Sequence, residues 1–373
     1  MKNSAAGTFT DRSTERGTTL VFTLMILFAV LTLTLAGLIA SRSDSKISSN
    51  YQTGAQALLN AQSGILHSKE TIDAFGAVVA LDQDVVARWD TIFGSSSISV
   101  AGHPQLRYSV TASTDPTNPR GRMVLTASGR APNEAQRVIR AGLALDGAYS
   151  PGAIYLPGDT VNPNFNGNRF LVDGNDTNLD GTPHPSGTVP GISGRDPDVA
   201  DAVLDALSTG QDDNVVGAGG IPSVRQSSGF TTADLLNDII PAILAYPNVV
   251  TDPQLNGNDV FGTLLVPQVT YFTGSVNVTG NLTGTGILIV EEGLTISGSS
   301  DFTGLIIVKG TTQITTVQGN TTILGALWTT DLRLVVGGSA SVTYSSQALQ
   351  LVNAMFTSPP LPQRVKVASW KES

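Results

Sequence analysis

The chain has 373 residues, enough for two or three domains, with 40% hydrophobic but only 14% charged residues. Its formal charge is −9 and no basic block stands out, so no nucleic acid is expected as a partner. It has no cysteine, which excludes disulfides, thiol catalysis and cysteine-based zinc sites, and its histidines, His67, His103 and His184, lie too far apart for a metal-ligand spacing.

The first element is ERGTTLVFTLMILFAVLTLTLAGLIASRSD, Glu15 to Asp44. No charge falls in the 25 residues from Gly17 through Ser41. At about 1.5 Å per helical residue, such a run crosses the roughly 30 Å core of a bilayer. A secretory signal peptide fits poorly, because its apolar region is about 7–15 residues long and ends in an A-x-A-like cut site. Here the longer run ends in GLIASRSD. The leader, residues 1–17, carries Lys2, Arg12 and Arg16 against Asp11 and Glu15, and the far flank carries Arg42 and Lys46 against Asp44, so each side is +1. Charge alone decides little about orientation; a short N-terminal side before a large C-terminal region favours a cytoplasmic N-terminus. The residues expected to form the membrane surface of the helix are Leu20, Val21, Phe22, Leu24, Ile26, Leu27, Phe28, Leu31, Leu33, Leu35 and Leu38.

Past Ser41 the pattern turns amphipathic. Ile47, Tyr51, Ala55, Leu58, Ile65, Ile72 and Phe75 follow spacings of 3, 4 and 7, one helical stripe, and no proline interrupts Gly17 to Phe75. One helix is expected over 18–75, transmembrane over 18–41, with its second half lying against a globular head. Gly37, Gly54 and Gly64 are its weak points. The head, 76–150, begins with strands. Gln105–Ser113 alternates Leu106, Tyr108 and Val110; Arg122–Ala131 follows a turn-rich loop; Gln136–Leu145 alternates Ile139, Ala141, Leu143 and Leu145. This predicts a three-stranded antiparallel meander.

Residues 151–250 are rich in Asn, Asp, Gly and Pro and are expected to be a loop-rich linker region with two helices, Asp196–Gly210 and Thr231–Tyr246. Thr231 or Thr232 suits the N-cap of the second, and Pro241 is expected to kink or break it. Within this region Asp176, Asn178, Asp180 and Gly181 follow the D-x-N-x-D-G pattern of an EF-hand-like calcium loop, with Asp173 and Asn175 as further oxygen donors. The twelfth loop position is Gly187 rather than Glu, and a plain Asn/Asp turn cluster competes with the calcium reading.

The last third repeats. Units open at Gly286, Gly304 and Gly325, 18 and 21 residues apart, each with an apolar strand: Ile287–Val290, Leu305–Val308 and Ala326–Trp328. A period near 20 with short strands predicts a β-solenoid-like domain over 251–345, with a β-sandwich as the alternative, and 346–373 as a closing segment. The expected fold class is therefore α+β: a long N-terminal helix packed on a small antiparallel meander, then a C-terminal β-rich, solenoid-like domain. No G-x-S-x-G, H-E-x-x-H, Walker A or G-x-G-x-x-G pattern occurs. The repeats offer only Glu291, Glu292, Asp301, Lys309, Asp331 and Arg333, with Glu291-Glu292 read as a solvated turn, so an enzyme is not expected.

Three stretches carry a family resemblance. Arg16-Gly17 followed by Thr18-Thr19-Leu20-Val21 looks like a prepilin peptidase site. Ser49–Ile65, SNYQTGAQALLNAQSGI, is similar to an N-Y-…-A-…-A-x-x-G-I segment, and QRVKVASWKES resembles an arginine-valine strand closing in W-[RK]-E. The chain resembles type IV pilins, and more narrowly the PilX-type minor pilins. The resemblance implies cleavage between Gly17 and Thr18, methylation of Thr18, and anchoring in the inner membrane before the helix packs into a filament at the cell surface. It implies other minor and major pilins, the prepilin peptidase, the inner-membrane pilus assembly platform and a large tip adhesin as partners. The implied role is to prime or support pilus assembly at or near the tip, with a part in adhesion. Major pilins carry Glu as the fifth mature residue, thought to pair with a neighbour's amine; here that position is Phe22. This is compatible with a rare, tip-located or initiating subunit. Competing readings are a type II secretion pseudopilin, a membrane-anchored surface solenoid that binds or processes polysaccharide, and a plain single-pass anchor.

Overall fold

The structure is a computed structural model that describes residues 13–74, 86, 87, 89, 93, 97–100, 103–117, 122–227, 229–314, 319–335 and 338–372. Residues 1–12 of the expected leader, Phe75 and the side chains of Gly17 and Thr18 lie outside the described residues. Helix α1 spans Ser13–Ala74, 62 residues. Its second half packs on a sheet, and of the expected stripe Ile65 and Ile72 are buried and Leu58 packs against the core, while the part nearer the membrane is not buried. Ile47 and Tyr51 are 64% and 81% exposed, and Ala55 is exposed too. The buried face is Ala57, Asn60, Ala61, Gly64, Ile65, Ser68 and Ile72. The reason is close approach. A Cβ on Gly129 of the sheet would collide with the Ala57 carbonyl oxygen, so only small residues fit along this line. Buried Asn60 is held by its side-chain amide donating to the Arg130 carbonyl at 2.7 Å, and Ser68 Oγ donates to Gly64 O at 2.7 Å.

The head sheet contains β1 (Ile98–Val100), β2 (His103–Thr114), β3 (Arg122–Arg130) and β4 (Gln136–Ala148), all antiparallel. Asn133 and Glu134, both at positive φ, make the tight β3–β4 turn. A fifth strand comes from the chain's last residues, Gln363–Glu372, which pair with β4 through Val365↔Leu145 and Lys371↔Arg140. The expected meander is thus the middle of a larger sheet. Its inner face, including Tyr108, Val110, Met123, Leu125, Ile139, Leu143 and Val365, forms one core with Ala61, Ile65 and Ile72 of α1.

The rest of the chain builds one parallel solenoid, with an antiparallel hairpin of Asn175–Thr177 and Pro183–Thr188 beside it and a last strand, Gln363–Glu372, that returns to the head. Its elements in order are β5 (Ile154–Leu156), β6 (Asn164–Asn166), β7 (Phe170–Asp173), β8 (Asn175–Thr177), β9 (Pro183–Thr188), β10 (Ile192–Gly194) and α2 (Pro197–Ala206). Then come β11 (Val215–Val216), β12 (Val224–Gln226), α3 (Thr232–Asp234), a π turn over Leu235–Ile239 and α4 (Ile240–Leu244). The last part holds β13 (Val249–Thr251), β14 (Asn258–Phe261), β15 (Gln268–Phe272), β16 (Val276–Val278), β17 (Asn281–Val290) and β18 (Leu294–Ile296). It ends with β19 (Ser299–Ile314), β20 (Asn320–Val335), β21 (Ser339–Tyr344), α5 (Ser346–Asn353) and β22, the strand that returns to the head.

Region 151–250, expected as a loop-rich linker with two helices, also carries strands, and all of these except the antiparallel β8–β9 pair belong to the same 15-stranded sheet as the repeats. The spatial order is β11-β7-β21-β20-β19-β17-β15-β13. The chain therefore enters the solenoid in the middle, runs to one end, crosses through α3 and α4 to the other end, and winds back until β20 lies on β5 in register, Leu327↔Ile154 and Trp328↔Tyr155. The two predicted helices are present in shorter form. Asp196 caps α2, and Thr231 with Asp234 makes a capping box on α3. The π turn falls just before Pro241, whose ring and missing N–H disturb the helical ladder.

The repeat glycines stack as one column: Gly286↔Gly304 and Gly304↔Gly325 are register partners at φ +149°, +131° and +142°. A Cβ at Gly304 or Gly325 would meet the preceding glycine's carbonyl oxygen. The strands that follow, ILIV, LIIV and ALW, are buried throughout. Continuous apolar strands are what a sheet covered on both faces requires. The solenoid core fills one side, and Leu235, Ile239, Ile240 and Ile243 with Leu349 and Val352 belong to the same cluster.

Candidate membrane and assembly helix

Among the described residues, none of the first half of α1 is buried. Every side chain from Thr19 through Gln52 is exposed. These include all eleven predicted membrane residues: Leu20, Val21, Phe22, Leu24, Ile26, Leu27, Phe28, Leu31, Leu33, Leu35 and Leu38. The helix is long and apolar enough to cross a membrane, and its apolar part contributes to no core in this chain. Large apolar side chains left bare in water forgo about 1.5–3 kcal/mol each, so this surface calls for lipid or protein around it.

Three threonines inside the run bond back to their own helix. Thr23 Oγ1 donates to Thr19 O at 2.7 Å, Thr32 Oγ1 to Ala29 O at 2.9 Å, and Thr34 Oγ1 to Val30 O at 2.6 Å. Backbone carbonyls one turn earlier absorb these three hydroxyls, which lowers their cost in a hydrocarbon phase. Phe22 stands where the resemblance would place a carboxylate, and it adds to the apolar surface. The expected cleavage pair, Gly17 and Thr18, lies within α1, so the leader side and the apolar run are one continuous helix from Ser13.

The calcium reading of Asp176, Asn178 and Asp180 is not supported by the geometry, because the three side chains serve separate partners. Asp176, whose side chain is 1% exposed, accepts from Ser346 N at 2.8 Å and Ser346 Oγ at 2.6 Å, and His184 Nδ1 lies 3.1 Å from its Oδ2. Asn178 donates to Thr182 Oγ1 and the Pro183 carbonyl. Asp180 Oδ1 accepts from Thr182 N and Oγ1, bonds that hold its carboxyl below the usual carboxylate range. Asp173 likewise accepts from Asn175. The motif is a turn cluster between β8 and β9. Among the described residues, no group of three or more His, Cys, Asp or Glu side chains gathers to hold a metal.

Of the acids of the repeats, Asp301 is exposed, and Glu291, Glu292 and Asp331 are engaged. Glu291, read as part of a solvated turn, pairs with Lys309 and accepts from the Tyr271 hydroxyl at 2.8 Å, while Glu292 accepts from Ser275 Oγ at 2.9 Å. Burial, and then the bond to Glu291, push Tyr271 up to about 12. Asp331 accepts from Asn162 N at 3.0 Å and lies 3.9 Å from Arg333. The Glu291–Lys309 spacing equals the 18-residue repeat, a signal the sequence did contain.

Three comparisons bear on this arrangement. No family model matches the chain. No curated protein matches it. Among solved structures it is similar to the competence-associated pilin ComZ from Thermus thermophilus, at 13% identity over 86% of this chain and 97% of that chain, with a TM-score of 0.22. At that score the likeness carries no argument.

Proposed function

We propose that this chain is a minor pilin of the type IV pilus. The observation that carries the reading is the division of α1: a bare apolar half without internal partners, continued by a half that packs on an antiparallel sheet completed by the chain's last strand. That arrangement suits a subunit held first in the inner membrane and then in a filament, where neighbouring helices replace lipid. Burying the eleven exposed apolar residues is worth on the order of 20 kcal/mol in either setting. The prepilin peptidase removes residues 1–17 after Gly17, Thr18 becomes the methylated N-terminus, and the assembly platform extracts the helix. Phe22 gives the helix no charge to pair with a neighbour's amine, which favours a scarce subunit that primes assembly at or near the tip beside other pilins and a large tip adhesin. The solenoid is the outward surface, with a part in adhesion. In this reading the chain acts by assembly and binding, not catalysis.

Fractionation tests it. In cells with a complete assembly platform, the chain is expected in filaments sheared from the surface; in cells lacking the platform it stays in the inner membrane. Recovery from the membrane alone in both strains contradicts the reading.

A further inference from the structure

Whole-chain charge conceals a segregation. Residues 97–148 with 363–373 hold nine Lys and Arg against four Asp and Glu, net +5. Residues 149–362 hold five against eighteen, net −13. The remaining 1–96 hold seven against eight, net −1, which completes the total of −9.

The cations are concentrated on one face. Strand alternation directs Tyr108, Leu125, Ala127, Ile139 and Ala141 toward α1, so Arg107, Arg130, Arg140 and Lys371 project from the opposite side. All four are exposed. They form two facing pairs, Arg107↔Arg130 on β2 and β3, and Arg140↔Lys371 on β4 and β22. Like charges directly opposite on neighbouring strands destabilise a sheet. The converse sits on the solenoid. Helix α2 buries Val199, Ala200 and Val203 and leaves Asp198, Asp201 and Asp205 exposed. Spacings of 3 and 4 put these three acids on one stripe, where like charges also repel. Each surface gathers like charge, and each is complementary to the other. They lie on different parts of the fold, β2–β4 and β22 in the head sheet and α2 against β10 and β12.

We infer that the cationic face of the head sheet docks on the acidic stripe of α2 in a second copy of this chain. Such a contact is heterologous, since each copy offers a different patch, and it repeats from copy to copy. The inference stands on the charge map and does not require the filament reading.

Sedimentation velocity of the full chain in detergent micelles tests it. Self-association of the wild type is expected to weaken about tenfold or more between 0.05 and 0.5 M NaCl. The double variants Arg140→Glu/Lys371→Glu and Asp201→Lys/Asp205→Lys should each lose it. Mixing the two variants should restore it, which also shows that both are folded. Three results overturn the inference: a monomeric wild type, association indifferent to both charge reversals, or variants that stay apart when mixed. A wild type that remains monomeric yet binds heparin through Arg140 and Lys371 also overturns it, and assigns the face to an anionic polymer.

Discussion

Trp328 and Ser150 are 178 residues apart in sequence, yet the indole Nε1–H of Trp328 donates to Ser150 Oγ at 2.9 Å in a buried site. Ser150 Oγ in turn donates to Gly152 O at 2.6 Å, and Phe230 packs between Trp328 and Tyr155, tilted against the first and edge-on to the second, with ring centroids 4.5 and 4.7 Å away. This is the seam at which the returning chain meets the strand by which it entered. Ser150→Ala leaves a buried indole N–H unpaired and is expected to cost about 1–3 kcal/mol. Trp328→Ala should cost about 3–5 kcal/mol through the cavity it opens. Chemical denaturation of both variants and their double mutant checks this, and strictly additive losses would contradict a shared seam.

The glycine column makes a second prediction. Gly304 is at φ +131°, and its Cβ would strike the Gly286 carbonyl. Gly304→Ala should lose about 2–5 kcal/mol from backbone strain and overpacking together. Gly274 has nothing within 4 Å of its Cβ direction, so Gly274→Ala should lie within about 0.5 kcal/mol of wild type. Thermal unfolding of the pair separates a stacking requirement from a general preference for glycine.

Asp176 is a structural carboxylate in this account. Replacing it with Ala deprives Ser346 N and Oγ of their acceptor and should cost about 2–4 kcal/mol. Millimolar calcium should leave the melting temperature of the wild type unchanged. A calcium-dependent rise of several degrees would return Asp176, Asn178 and Asp180 to the role of ligands.

Alkaline stability follows from the tyrosines. Burial raises Tyr155 and Tyr344, and burial with the Glu291 bond pushes Tyr271 up to about 12. A folded-state value above the unfolded value of about 10 means the folded protein holds the proton more tightly. The stabilisation is complete below pH of about 10 and is lost as pH rises toward and through 12. Denaturation midpoints measured across that window should fall, and Tyr271→Phe should make the fall shallower.

The repeats were legible because Gly286, Gly304 and Gly325 recur with apolar strands behind them, and stacking in register is what such a period requires. The entry of the chain into the middle of the solenoid was not, because β5, β6 and β10 are three residues each and find partners such as Leu327 far along the sequence. Hydrophobic periodicity located α1 and the buried Ile65 and Ile72, but it also chose Ile47 and Tyr51, which are exposed. The face in use is lined by Ala57, Ala61 and Gly64, whose merit is smallness against Gly129 rather than apolar area. The D-x-N-x-D-G run was visible as an oxygen cluster, while the Ser346 that occupies Asp176 lies 170 residues away. Net charge hides its distribution, since −9 is the sum of +5, −13 and −1 over three parts of the chain.

The central claim is that α1 is a pilin helix released from a leader. The most direct test is the intact mass of the membrane-extracted chain, expressed with and without a prepilin peptidase. The account predicts that the peptidase removes residues 1–17 of 373, leaving 356 that begin with a methylated Thr18. A mass unchanged by the peptidase would contradict it and leave Gly17–Ser41 as an ordinary membrane anchor.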